Sequence, residues 1–366
     1  MQNDFHFDQY PLSLVLDRLL MDKTTGDHIL WATDRYEKHG QIYDALFEIL
    51  PQTLLDINRV KIGPKALGRL TDPGSRNELD SPKTIPLWAI NRVLNLQDEV
   101  WFECADVFNT ETVRSWISSA DRMDFGKKRW DKYVERSILE PESEEAEFLV
   151  TRYDPETGDV LPVEKRVGAL DRKLRVVCEN TEREEDWIEW ALYALESVYG
   201  YAFAGDAVMI SRCLLLLSFA DWYEAVWHKR ASKRLLQDAA TKIAWNFWQM
   251  DPETGRVPYG HPESRIEQLS LFENAILPAG AAPKCRIHYG KSRTPILFEE
   301  MGKEVEQAQV GCRSQFQRSA KRRKPESSVT RTFWFFFALY RSAKAKRRDR
   351  CKQKVFCLKL NQILSK

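Results

Sequence analysis

Apolar residues along this chain fall into a few periodic blocks separated by long polar stretches. Leu12, Val15, Leu16, Leu19 and Leu20 recur at helical spacing, and the first 60 residues are expected to be helical around a turn at Lys23–Asp27. Residues 61–86 are rich in Gly, Pro, Asp and Ser, among them Gly63, Pro64, Gly68, Pro73 and Gly74, and predict a long surface loop. A helix begins near Pro86, turns Leu87, Ile90, Val93, Leu94 and Leu96 inward and closes at Trp101-Phe102. Trp187, Ile188, Ala191, Leu192 and Leu195 mark a second helix, capped by Thr181 or Asp186. Val198 to Phe203 reads as a short strand, and Gly205-Asp206 starts a helix that runs to about Trp227. Ser232 caps one more, through Leu235, Leu236, Ala239, Ile243, Phe247 and Met250. The pentapeptide Asp-Pro-Glu-Thr-Gly occurs at 154–158 and again at 251–255. It is turn chemistry, and the unmatched flanks argue for two separate turns rather than a repeat.

Composition narrows the class. In 366 residues, 43% are apolar and 30% charged, enough for a core. The longest apolar runs are of the length of Phe333–Tyr340. They fall short of the roughly 20 residues of a membrane span, so no membrane partner is expected. The start of the chain carries Asp4, Asp8, Asp17 and Asp22 without a basic leader, so no signal peptide is expected. Seven cysteines lie scattered without a CxxC pair, as in a cytoplasmic protein with reduced thiols. Six dispersed histidines with no HExxH argue against a transition-metal site.

The net charge of +1 conceals an asymmetry. Residues 311–366 hold 17 Lys and Arg against Glu326 and Asp349, which leaves the preceding residues with an excess of 14 acids. This basic tail is expected to be poorly ordered. It reads either as an arm for a polyanion such as DNA, with Phe333–Phe337 as stacking platforms, or as a segment translated from a shifted reading frame.

Several stretches share one further likeness. They are Tyr133–Pro141, Phe148–Asp154, Val167–Val177, Ser197–Tyr201 and Ile243–Asp251. Together they resemble the front part of the bacterial restriction-modification proteins called "restriction endonuclease subunit M", relatives of the type II adenine-specific DNA methyltransferases. The likeness covers residues 12–40 and 84–300 and implies a helix-rich α/β fold with a Rossmann-like methyltransferase core that binds S-adenosylmethionine. The regions would be a helical segment 1–60, a loop 61–86, an α/β body 87–310 and the tail 311–366. The resemblance implies a methyltransferase component of a restriction-modification system. Its partners would be DNA and a second subunit carrying the catalytic motif or an endonuclease.

The resemblance also implies the site residues. Leu139, Glu140 and Pro141 match the start of the family's cofactor turn, and Phe148 and Leu149 match its end. Ser143-Glu144-Glu145 stands where the family has a Cys-Gly pair and its neighbour, and no glycine occurs between Gly126 and Gly158. A carboxylate at Glu144 would repel that of the cofactor. Pro86 keeps the register of the family's Phe-Thr-Pro loop, with Thr84 as a substitute hydroxyl. Gly200 matches a Tyr-Gly strand end; the acid that follows there in the family is Ala202 here, with Asp206 nearby as either a ribose ligand or a helix cap. The catalytic Asn-Pro-Pro-Tyr motif, which would hold a flipped adenine, is missing, since no Pro-Pro occurs, and no catalytic residue is assigned.

Two other functions are compatible with some of these residues. A non-catalytic DNA-binding or scaffold subunit would keep the fold and lose the cofactor. A magnesium-dependent nuclease would use Asp159 with Asp171-Arg172-Lys173 on a strand, although Leu170 to Val177 also reads as a plain amphipathic element. Trp187, Trp190, Trp245 and Trp248 fit core packing better than base stacking.

Overall fold

The structure, a computed structural model, describes residues 5–55, 60, 62–67, 85–259, 282–290 and 294–301. Met1–Phe298 form one compact unit and Glu299–Lys366 a second, of which only 299–301 are described. The expected basic tail 311–366, Thr84 and most of the expected loop 61–86 lie outside the described residues.

The fold is mixed helix and sheet. Its helices are α1 (Leu16–Leu20), α2 (Pro51–Leu55), α3 (Leu87–Phe102), α4 (Trp130–Val134), α5 (Ala169–Asn180), α6 (Glu184–Glu196), α7 (Gly205–Trp227) and α8 (Lys233–Asn246). A hairpin of β1 (Asn109–Thr112) and β2 (Ser115–Ser118) follows α3. The central sheet is β3 (Ile138–Glu140), β4 (Val198–Ala202) and β5 (Phe247–Gln249), parallel and in sequential order. Helices α5 and α6 connect β3 to β4, and α7 and α8 connect β4 to β5, because parallel neighbours need a long crossover. A small pair, β6 (Arg286–Ile287) and β7 (Ile296–Leu297), is antiparallel.

Helix α7 is buried nearly all round, from Gly205 to Ala220, which accounts for its unbroken apolar run. Ser232 Oγ accepts the Leu235 N–H at 3.2 Å and fixes the start of α8 where the sequence predicts it. That helix stops at Asn246, however, and Phe247–Gln249 enters the sheet instead of continuing the helical period. Fully buried Arg212 explains part of the change. Its guanidinium donates to the carbonyls of Phe247 (2.7 Å), Ala244 (3.1 Å), Leu19 (2.6 Å) and Met21 (2.9 Å), tying the end of α8 and the start of β5 to the N-terminal region. Helix α6 is preceded by Arg183 without a side-chain cap, so neither Thr181 nor Asp186 serves as one.

Two other expectations change. The first 60 residues are not continuously helical: α1, α2 and a 3-10 turn at Leu12–Leu14 flank a strap at 28–49, which itself holds 3-10 turns at Glu37–His39 and Gln41–Tyr43. There Trp31 N–H donates to Phe47 O (3.0 Å), Ala32 N–H to Ala45 O (2.8 Å) and Ile49 N–H to Ile29 O (2.8 Å). On α3, Leu96 faces outward, while Asn91 and Asp98 face inward. They meet Arg172, whose guanidinium donates to Asp98 Oδ2 (2.6 Å) and Asn91 Oδ1 (2.8 Å), so a polar cluster takes the place of an apolar contact. Both Asp-Pro-Glu-Thr-Gly segments form the same turn. Gly158 and Gly255 take φ of 73° and 68°, and each donates its N–H to the leading aspartate's carbonyl at 2.8 Å. No described helix is long and apolar enough to cross a membrane.

Candidate functional site

In an open parallel sheet, loops gather where strands end, and ligands bind in the crevice there. Here the carboxyl ends of β3 and β4 are the place to look, because Glu140 and Gly200 lie opposite each other in register.

Beyond β3 the chain turns sharply over Pro141–Phe148. Glu140 is buried beneath the turn. Its Oε1 accepts from Ser143 Oγ at 2.6 Å, its Oε2 from the Phe148 N–H at 3.0 Å, and Ser143 Oγ in turn accepts the Ala146 N–H at 2.7 Å. Ser143 N–H donates to Tyr201 O (2.9 Å), which ties the turn to β4. Burial raises the Glu140 carboxyl to about 7, more than its hydrogen bonds lower it. Glu145 is also raised to about 7 by burial, and Glu147 is raised for the same reason. Lys65 donates its N–H to Glu145 Oε1 (2.8 Å) and its ammonium to Glu144. Glu142 and buried Ala146 take φ of 50° and 53°, a left-handed backbone that glycine adopts without strain.

The end of β4 is built differently. Asp206 lies in the first turn of α7, where the helix N-terminus favours an acid. Ala204, not Asp206, is the N-cap. Arg35 Nη1 donates to Asp206 Oδ2 at 2.9 Å and Tyr36 OH donates to the same oxygen at 3.0 Å. Burial and the Asp206 charge raise the Tyr36 hydroxyl. For Arg35, burial works downward, but the bond and charge of Asp206 outweigh it and raise the guanidinium. The strap brings these two residues here. Gly205 N–H donates to Trp31 O (2.8 Å), and Gln249 exchanges bonds with both Leu30 N–H and Leu30 O (2.9 Å each) while donating to Phe203 O (2.8 Å).

Of the positions expected at the cofactor, Glu140, Pro141 and Phe148 share the turn, Gly200 lies beside it, and Asp206 follows the neighbouring strand. Pro86 is exposed at the start of α3. A Cβ at Gly200 would sit 2.3 Å from the Phe247 ring, so packing between strands already demands glycine there. Both Glu140 oxygens and Asp206 Oδ2 are engaged by protein groups. In this closed form S-adenosylmethionine would have to displace those partners, and no step of methyl transfer is assigned to these residues. Arg35, Tyr36, Lys65 and Gln249 carry no signal in the sequence; none stands out by periodicity, since each acts across a long separation.

The nuclease triplet is not a strand motif. Asp171, Arg172 and Lys173 lie in α5, buried, whereas Asp159 is exposed. Asp171 accepts from Ser218 Oγ (2.6 Å) and the Thr151 N–H (2.9 Å), and Lys173 Nζ donates to Ser197 Oγ at 2.5 Å. These are internal braces. Among the described residues no group of His, Cys, Asp and Glu is placed to hold a metal ion. Trp187 and Trp248 are core residues, as expected, while Trp190 and Trp245 are half-buried against Trp130 and His288. An open groove of about 430 Å³ lies away from the strand ends, lined by Phe7, Leu14, Leu16, Pro51, Leu55 and Gln237 among others.

Comparison with known proteins finds no matching family model, curated protein or solved structure.

Proposed function

We propose that this chain is a DNA adenine methyltransferase-type (M) component of a restriction-modification system, built on a Rossmann-like core whose cofactor turn is worn. One observation carries the reading. Leu139–Leu149, the stretch that resembles the family's cofactor turn, leaves the carboxyl end of a parallel strand, and the next two strands follow in sequential order through helical crossovers. Ala202 fills the slot of the family's ribose-binding acid, and an acid, Asp206, stands nearby in the first turn of α7. No Pro-Pro dipeptide occurs in these 366 residues, so methyl transfer would need a catalytic motif from outside them. Calorimetric titration of the full chain with S-adenosylmethionine tests this. The proposal expects saturable heat, weaker than a glycine-lined turn would give.

A second reading, a non-catalytic DNA-binding or scaffold subunit, draws support from the filled turn and the Arg35–Asp206 ion pair. Absence of cofactor heat together with duplex binding that falls steeply with salt would favour it. Cofactor heat would reject it.

A further inference from the structure

Four glutamates crowd the turn after β3, and one lysine serves three of them. Lys65 bonds Glu145 through its N–H and Glu144 through its ammonium, and it is the cation that faces Glu147. Glu140 lies beneath them. Ser143 Oγ, the Phe148 and Leu149 N–H groups and the Glu147 carboxyl face it, and among the described residues none of the groups bonded to it is a cation. From the strap, Arg35 faces Glu144 and Tyr36 faces Glu145, but both are held on Asp206 of α7. From β4 the Tyr201 carbonyl accepts the Ser143 N–H of the turn. The closed turn also keeps Glu142 and Ala146 in left-handed backbone, which an open turn would release.

We propose that Pro141–Phe148 is a proton-gated element, closed over Glu140 while Glu140, Glu145 and Glu147 hold protons among them and open once all three are ionised, because Lys65 alone cannot balance the cluster. The inference stands apart from cofactor binding, since it concerns how the turn closes on itself. The sign follows from the carboxyls. Glu140 and Glu145 are raised from 4.5 to about 7 in the closed turn, so closure takes up protons, is strongest at low pH and weakens as pH rises through 7.

Amide hydrogen exchange of the full chain, followed by NMR from pH 6 to pH 8.5 and corrected for intrinsic exchange, reads the opening at Ser143, Ala146 and Phe148. Each carboxyl shifted this far makes opening roughly 10-fold more favourable over that span. The Leu216 amide in α7 serves as the control and stays constant. Glu145→Gln removes about 10-fold of the dependence. Lys65→Met makes the turn open further at pH 8.5. Constant protection at the three turn amides of the native chain would overturn the proposal without recourse to any variant. So would an unchanged slope in folded Glu145→Gln.

Discussion

Glu140 at the end of β3 and Asp206 past the end of β4 are both buried near adjacent strand ends, and they differ in what faces them. Asp206 has a guanidinium, a phenol and a helix N-terminus. Glu140 has a serine, two backbone N–H groups and another glutamate. Burying a carboxylate is costly unless an opposite charge or enough donors compensate. At Asp206 the strap supplies the compensation. At Glu140 the donors offset burial only in part, and the carboxyl moves to about 7. The β4 end is thus a closed ionic joint, and the β3 end is an acid-loaded turn that stays receptive to protons or cations.

The largest effect should come from breaking the joint. A Cβ at Gly205 would lie 1.7 Å from Leu30 O, a backbone atom with nowhere to retreat. Gly205→Ala is expected to cost about 3–4 kcal/mol in denaturant unfolding, the range of severe core overpacking, and to detach the strap. Next comes Gly200→Ala between the two ends. Its methyl would press on the Phe247 ring, and a loss of about 2 kcal/mol is expected in the same assay. Asp206→Asn keeps an acceptor and removes the charge. Because the Arg35 side chain is 57% exposed, solvent screens the pair and the loss should be about 1–2 kcal/mol, present at pH 8 and diminished in high salt.

The β3 end should respond in the opposite direction. A carboxyl raised from 4.5 to about 7 destabilises the folded chain fully above pH 7 and not at all below 4.5. Glu140→Gln is therefore expected to stabilise the protein at pH 8, by about 1 kcal/mol once the lost acceptor for the Phe148 N–H is subtracted, and to give no gain at pH 5. Thermal melts at the two pH values read the difference.

The sequence made the central helices legible because their residues are buried by period or all round: α7 begins at Gly205 and α8 is capped by Ser232, as the pattern predicts. Short elements were harder. Strands β3 and β5 have three residues each, too few for an alternation to register, and β5 was absorbed into the helical pattern of Ile243, Phe247 and Met250. The strap failed as a predicted helix because Trp31, Ala32 and Ile49 take their bonds from one another's segments rather than from the preceding turn. In the site, the resemblance pointed to Glu140, Phe148 and Asp206, but not to Arg35, Tyr36 or Lys65. Arg35 meets Asp206 across 171 positions and Lys65 meets Glu145 across 80, distances over which a single sequence carries no pairing signal.

The central claim, that Leu139–Leu149 is a nucleoside-cradling turn in altered form, meets its most direct test in amide resonances during titration with S-adenosylmethionine. The native chain would be compared with Glu144→Gly/Ala146→Gly, which removes the repelling carboxylate and places glycine at the left-handed φ of 53°. The account predicts shifts at Ser143, Ala146 or its replacement, and Phe148 in both proteins, saturating at lower ligand concentration in the variant. Resonances of 140–149 that stay fixed in both, while the variant keeps the native fold, would contradict it.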